Sequence, residues 1–211
     1  MVIVTYMRVT GGSLRGRLIK VPRGDTVRPT QDMVRQALFS SLVVHIPGCR
    51  FLDLFAGSGA VGLEAWSRGA AVVCWVETEA CTVEVLLGNI KTLCGEEAGR
   101  TDDQEWRTIQ SDVFRFLTGQ WGSESYDIVF ADPPYDRTKR ERWALRLLEE
   151  LAAGGIVSRE GFFVMEQARD EDEAVHPSWD VVTTKVYGGT RLTVYRMRPE
   201  KTSGRVQNEE R

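Results

Sequence analysis

The chain has 211 residues, 42% apolar and 27% charged, with a net charge of −3. That balance suits a globular protein with a sizeable core and excludes a low-complexity or fibrous chain. No stretch has the length of a membrane span and the start lacks the basic-then-apolar pattern of a signal peptide. Four scattered cysteines and two histidines give neither a disulfide framework nor zinc-ligand spacing, so a cytoplasmic protein with no metal and no membrane partner is expected.

Charge is spread unevenly. Residues 1–50 hold eight Lys/Arg against two acids, a surplus of +6, and the remainder carries −9. A basic segment on an acidic body points to a local contact with a polyanion.

In chain order, MVIVTY reads as an extension, with Met1 and Met7 both candidate starts. Residues 7–21 read as a basic hairpin, two short strands about Gly11-Gly12. Arg8, Arg15, Arg17 and Lys20 on this hairpin, with Arg28 after it, are candidate phosphate contacts. A helix follows, with Thr30 as its N-cap, Asp32 in its first turn and Val34, Ala37, Leu38, Ser41 and Leu42 on one face. From Arg50 strands and helices alternate: strands at 51–55, 70–77, 107–111, 126–131 and 161–167, helices at 60–69, 78–93 and about 138–152. Residues 180–197 alternate about Gly188-Gly189 as a closing hairpin. The expected architecture is therefore α/β, a doubly wound, mostly parallel seven-stranded sheet ending in an antiparallel hairpin. It divides into a basic hairpin-and-helix extension (1–49), a catalytic body (50–198) and a disordered polar tail (199–211).

The first strand of the body runs into Gly57-x-Gly59-x-x-Gly62, and Glu77 ends the next strand. Glycines let backbone approach a ligand closely, and an acid about 20 residues on takes a ribose diol, so this loop (Ala56, Gly57, Ser58, Gly59) predicts a nucleoside cofactor. Asp53, four residues before the first glycine, would repel a pyrophosphate and welcome an ammonium or sulfonium. Asp112 ends a third strand. Its carboxylate can accept from an adenine amine and the Val113 N–H can donate to a ring nitrogen, although Asp112 could equally be a helix N-cap. Acids at three strand ends favour a cationic nucleoside, S-adenosyl-L-methionine.

The fourth strand ends in Asp132-Pro133-Pro134-Tyr135. An ionised Asp only accepts hydrogen bonds and proline has no N–H, so the loop is a rigid set of acceptors. Such a set matches an amino group with two protons to donate. Asp132 and the Pro133 carbonyl could hold both protons of a base amine and turn its lone pair towards a methyl carbon. Tyr135 offers a ring for the base to stack on, worth about 1–3 kcal/mol.

DLFAGSGAVGLEA, VE at 76–77, SD at 111–112 and DPPY together resemble a class I, Rossmann-like, S-adenosylmethionine-dependent amino-methyltransferase. The N-terminal RVTGGSLRGRLIKVP and RPTQDMVRQALFSSL, and the closing GGTRLTVY, resemble the bacterial 16S rRNA guanine-N2 methyltransferase (RsmD) family over about Arg8 to Arg196. The resemblance implies methylation of a guanine N2 amine in 16S ribosomal RNA, within an assembled or assembling small subunit, by a monomeric enzyme. It implies cofactor contacts from Asp53, Gly57, Gly59, Glu77 and Asp112, and target contacts from Asp132 to Tyr135. RPTQDMVRQ departs from the family form RPTTDRVRE by losing an arginine and an acid, and Trp66, Cys74 and Trp75 are unusual choices expected in the core. An amino-methyltransferase acting on another RNA or on DNA, a NAD-dependent dehydrogenase and a non-catalytic RNA-binding assembly factor are the alternatives at this point.

Overall fold

The computed structural model describes residues 5–22, 29–95, 104–119, 124–134 and 141–199. Met1, Arg28, Tyr135 and the tail beyond residue 199 lie outside the described residues. Among the described residues, no helix is long and apolar enough to cross a membrane.

Seven strands form the main sheet: β3 (Arg50–Leu54), β4 (Val72–Glu77), β5 (Glu105–Gln110), β6 (Tyr126–Ala131), β7 (Val157–Ala168), β8 (Trp179–Tyr187) and β9 (Thr190–Met197). Their spatial order is β5-β4-β3-β6-β7-β9-β8. The first five are parallel and the β8–β9 hairpin is antiparallel, turning at Gly188 (φ 59°), as the Gly-Gly pair predicts. Strand order reverses between β3 and β6, the point at which an open α/β sheet leaves a crevice outside its carboxyl ends. Asp53 stands on one side of that crevice and Asp132 on the other.

The central strands are buried on both faces and read as unbroken apolar runs, so two cores form. On one face α1 (Pro29–Ser41), α2 (Ala60–Ser67) and α3 (Ala80–Cys94) pack over Phe51, Val73, Trp75, Ile128, Phe130 and Val164. On the other, α4 (Val113–Thr118) and α5 (Trp143–Gly154) pack over Leu52, Leu54, Val76, Val129, Phe163 and Met165. Trp66, Cys74 and Trp75 are all buried. Trp75 also explains a glycine: a Cβ on Gly62 would stand 2.2 Å from Trp75 Nε1, so the third glycine of the motif lets α2 close on β4.

The N-terminal region differs in detail from expectation. Its two-stranded sheet, β1 (Tyr6–Arg8) and β2 (Leu18–Lys20), includes Tyr6, a residue expected in the extension. The strands are joined by nine residues rather than by a Gly-Gly turn. Gly12 (φ 76°) instead brings the chain against α2, where a Cβ would lie 1.8 Å from the Ser67 carbonyl oxygen. The glycine pair thus serves packing, and alternation alone cannot separate the two uses. Helix α1 begins at Pro29, one residue before Thr30, so Thr30 is not its N-cap. Proline's fixed φ and missing N–H suit the first helical position.

Glu64 on α2 anchors this region. It is fully buried and accepts from the Thr10 N–H and hydroxyl (both 2.7 Å) and from Arg68 Nε (2.9 Å), with Arg35 Nε 3.4 Å away. Arg35, itself buried, also pairs with Asp32 (2.9 Å) and donates to the Arg8 carbonyl. Asn89 on α3 supplies a second anchor. Its amide accepts from the Lys20 N–H (2.9 Å) and donates to the Lys20 carbonyl (2.8 Å) and to the Ser58 carbonyl (2.9 Å).

Candidate active site

At the carboxyl edge of the sheet a cavity of about 220 Å³ opens over the switch point. Asp53, Phe55, Ala56, Gly57, Ser58, Asp132 and Glu166 line it, with Met7, Arg35 and Leu38 contributed by the N-terminal region.

The loop after β3 is held from behind. Glu77, at the end of β4, accepts the Gly57 N–H (2.8 Å), the Thr78 N–H (2.8 Å) and the Glu79 N–H (3.0 Å). Its carboxylate therefore shapes the loop, with about one of its four lone-pair sites left over for a sugar hydroxyl. Ala56 donates to the Val76 carbonyl (3.0 Å) and Gly59 to the Ala56 carbonyl (2.8 Å). Gly57 (φ 54°) has open space where a Cβ would be, so this glycine leaves room on the cavity side. Phe55 has φ 60° without being glycine, a strained backbone of the kind that clusters at functional sites. Its ring packs edge-on against Trp143 at 5.6 Å.

Electrostatics set the character of the cavity. Asp53 is buried and accepts only the Gly62 N–H (2.8 Å) among the described residues. Burial, with Asp132 and Glu77 nearby, pushes its carboxyl well above the usual range. Asp132 opens onto the cavity mouth, but the walls around it displace much of the bulk water and raise its carboxyl too. Glu166, half-buried, is raised by burial and by the charge of Asp132. The cation in the lining, Arg35, is engaged by Asp32 and Glu64. Three acids around one space would reject a pyrophosphate and would be relieved by a cation. The residues present therefore fit S-adenosyl-L-methionine, whose ammonium and sulfonium are positive, better than a dinucleotide.

The structure brings together Asp53, Ala56, Gly57, Ser58 and Asp132 around this cavity, with Gly59 and Glu77 behind the loop. Asp112 and Val113 stand outside it, at the next strand end but one. There Asp112 is exposed and caps α4, accepting the Arg115 N–H at 2.9 Å. Helix α4 has six residues, too short for the periodicity that announces longer helices. Pro133 is buried and Pro134 exposed as the chain leaves β6. Arg8, Arg15, Arg17 and Lys20 are all exposed on the N-terminal region. Arg8 reaches the Gly16 carbonyl (3.2 Å) and Arg17 the Thr92 carbonyl (3.3 Å).

Sequence reasoning missed Glu166, Phe55 and Arg35. Glu166 ends an apolar run in VMEQ, the same signal that marks Asp53 and Asp132.

A family model described as Conserved hypothetical protein 95 matches residues 7–196. The chain belongs to this family. It is 35% identical over 189 residues to ribosomal RNA small subunit methyltransferase D of Escherichia coli K12, covering 90% of this chain and 89% of that one. It is 29% identical to the protein of the same name in Haemophilus influenzae, over 90% of this chain and 93% of the relative. A solved structure of a hypothetical protein from Thermus thermophilus superposes with a TM-score of 0.70 at 32% identity, covering 90% of this chain and 99% of that one. The fold is the Rossmann-like fold of class I methyltransferases.

Proposed function

We propose that this protein is an S-adenosylmethionine-dependent methyltransferase acting on the N2 amine of a guanine in 16S ribosomal RNA. The observation that carries the reading is the meeting of two loops at the switch point: an open, acid-lined glycine loop and an acceptor-only Asp132-Pro133 strand end. Family membership and the names of the relatives support the rRNA substrate.

When bound, S-adenosylmethionine supplies an electrophilic methyl carbon on a sulfonium. Asp53 and the Gly57 side of the loop hold the cationic end, and Glu77 takes a ribose hydroxyl. Asp112 and the Val113 N–H receive the adenine. A guanine amine is a poor nucleophile because its lone pair is delocalised into the ring. Asp132 and the Pro133 carbonyl accept its two protons, turn the lone pair towards the methyl carbon and stabilise the charge that develops on nitrogen. Asp132 would take the proton that the nitrogen sheds once the cofactor has given up its methyl group. Pro134 keeps the strand end rigid and Tyr135 stacks on the base.

Arg8, Arg15, Arg17, Lys20 and Arg28, in the 1–49 unit, contact phosphates and position the RNA without reading sequence. So small a module suits a substrate whose own fold supplies selectivity, a small subunit assembled or in assembly. The enzyme acts as a monomer in the cytoplasm.

The test is to map methylated guanines in small-subunit rRNA with and without the protein. Asp132→Ala should remove the signal, a loss of about 10²–10³-fold in rate, and leave S-adenosylmethionine affinity nearly unchanged by calorimetry. Retained turnover, or binding of NADH instead, would overturn the reading.

A further inference from the structure

The methyl-transfer step above gives Glu166 no contact with the base, yet the fold puts it beside Asp132. In the parallel β6–β7 register the last pair is Ala131 with Met165, so Asp132, just past the end of β6, and Glu166 on β7 are the residues that follow it. Such strands run roughly 4.8 Å apart. The pleat sends both side chains to the face where Phe130 lies, and both line the same cavity. Glu166 has no hydrogen bond or ion pair among the described residues; burial and Asp132 are the influences on it. Two adjacent carboxyls, neither paired with a cation or a donor among the described residues, offer a place for two adjacent donors.

Base chemistry restricts what can meet that request. The amines of adenine and cytosine are flanked on the pairing edge by a ring nitrogen carrying a lone pair. Guanine differs: its N2 amine is flanked by N1–H, so its pairing edge presents neighbouring donors. A carboxylate beside the amine-holding group would therefore attract guanine and repel adenine and cytosine.

We propose that Glu166 is a specificity-determining residue that accepts the guanine N1–H while Asp132 and Pro133 hold the neighbouring N2 amine. The assignment rests on the guanine-N2 reading given above. It also supplies what the acceptor loop lacks, since Asp-Pro-Pro alone would hold any base amine.

The test uses 2-aminopurine, which keeps the 2-amine of guanine but has a lone pair at N1. Small-subunit particles are reconstituted with rRNA carrying guanine or 2-aminopurine at the mapped position and methylated by the wild-type protein and by Glu166→Gln. A site that hydrogen-bonds a substrate N–H rejects an analogue lacking it by large factors, so the wild type should prefer guanine by about 100-fold or more in kcat/KM. In Glu166→Gln the side-chain amide can turn its NH₂ to the analogue's N1, and the preference should fall by about tenfold or more. A far-UV circular dichroism spectrum and a cooperative thermal transition like those of the wild type establish that the variant is folded. An equal loss on both bases, or an unchanged preference, would overturn the assignment while leaving the guanine reading intact. Failure of the wild type to methylate guanine would overturn both.

Discussion

Glu64 is fully buried on α2 and meets Thr10, Arg68 and Arg35, whereas Asp132 and Glu166 face one cavity and neither pairs with a cation or a donor among the described residues. Arg35 borders both places and commits its guanidinium to Asp32 and Glu64. The first group of charges is compensated within the chain and holds the N-terminal region to the body. The second is left uncompensated where a cationic ligand and a donor-rich base would complete it. Stability and function here use the same chemistry with opposite bookkeeping.

Breaking the compensated group should give the largest effect. Glu64→Gln leaves Arg35 and Arg68 without their buried anion, and urea denaturation should show a loss of about 3–5 kcal/mol. Gly62→Ala comes next, because its Cβ must displace the Trp75 ring at 2.2 Å while the Gly62 N–H also serves Asp53. Overpacking of this kind costs about 1–3 kcal/mol, read in the same experiment.

The uncompensated group should show itself in pH dependence. Unfolded Asp and Glu ionise near pH 4. In the fold Asp53, Asp132 and Glu166 are all raised, so the folded state keeps these protons longer. Stability from this source is full at low pH and is lost as pH rises past the unfolded value towards the folded one. The ligand-free protein should lose thermal stability between about pH 5 and pH 8. Saturating S-adenosylmethionine, or Glu166→Gln, should flatten that slope. A slope of opposite sign would mean that the acids are already neutralised. The smallest effect belongs to the exposed cations. Arg15→Ala and Arg17→Ala should each lower the salt slope of RNA affinity by about 0.7–1 and leave urea stability unchanged.

Much of the fold was legible because it rests on burial. Strands β3, β4 and β6 are apolar runs, and the closing hairpin alternates about its glycines. Less was legible where one residue serves two masters. The Gly11-Gly12 pair reads as a turn, but Gly12 packs on Ser67, a partner 55 residues away that no local pattern reveals. Glu77 reads as a sugar ligand, and its first visible role is to hold the glycine loop. Glu166 went unread because an acid within a strand acquires meaning only from its neighbour across the sheet, and that neighbour is set by topology.

Asn89 joins parts of the molecule that the preceding comparison treats separately. Towards Lys20 its amide behaves like a peptide group, giving and taking one hydrogen bond as a neighbouring strand would, and its remaining proton goes to the Ser58 carbonyl. No other common side chain of that length can do all three: aspartate has no donors and leucine has neither function. The basic hairpin and the glycine loop are thus tied by one knot. One side chain bridges the backbone of β2 and the backbone of the glycine loop.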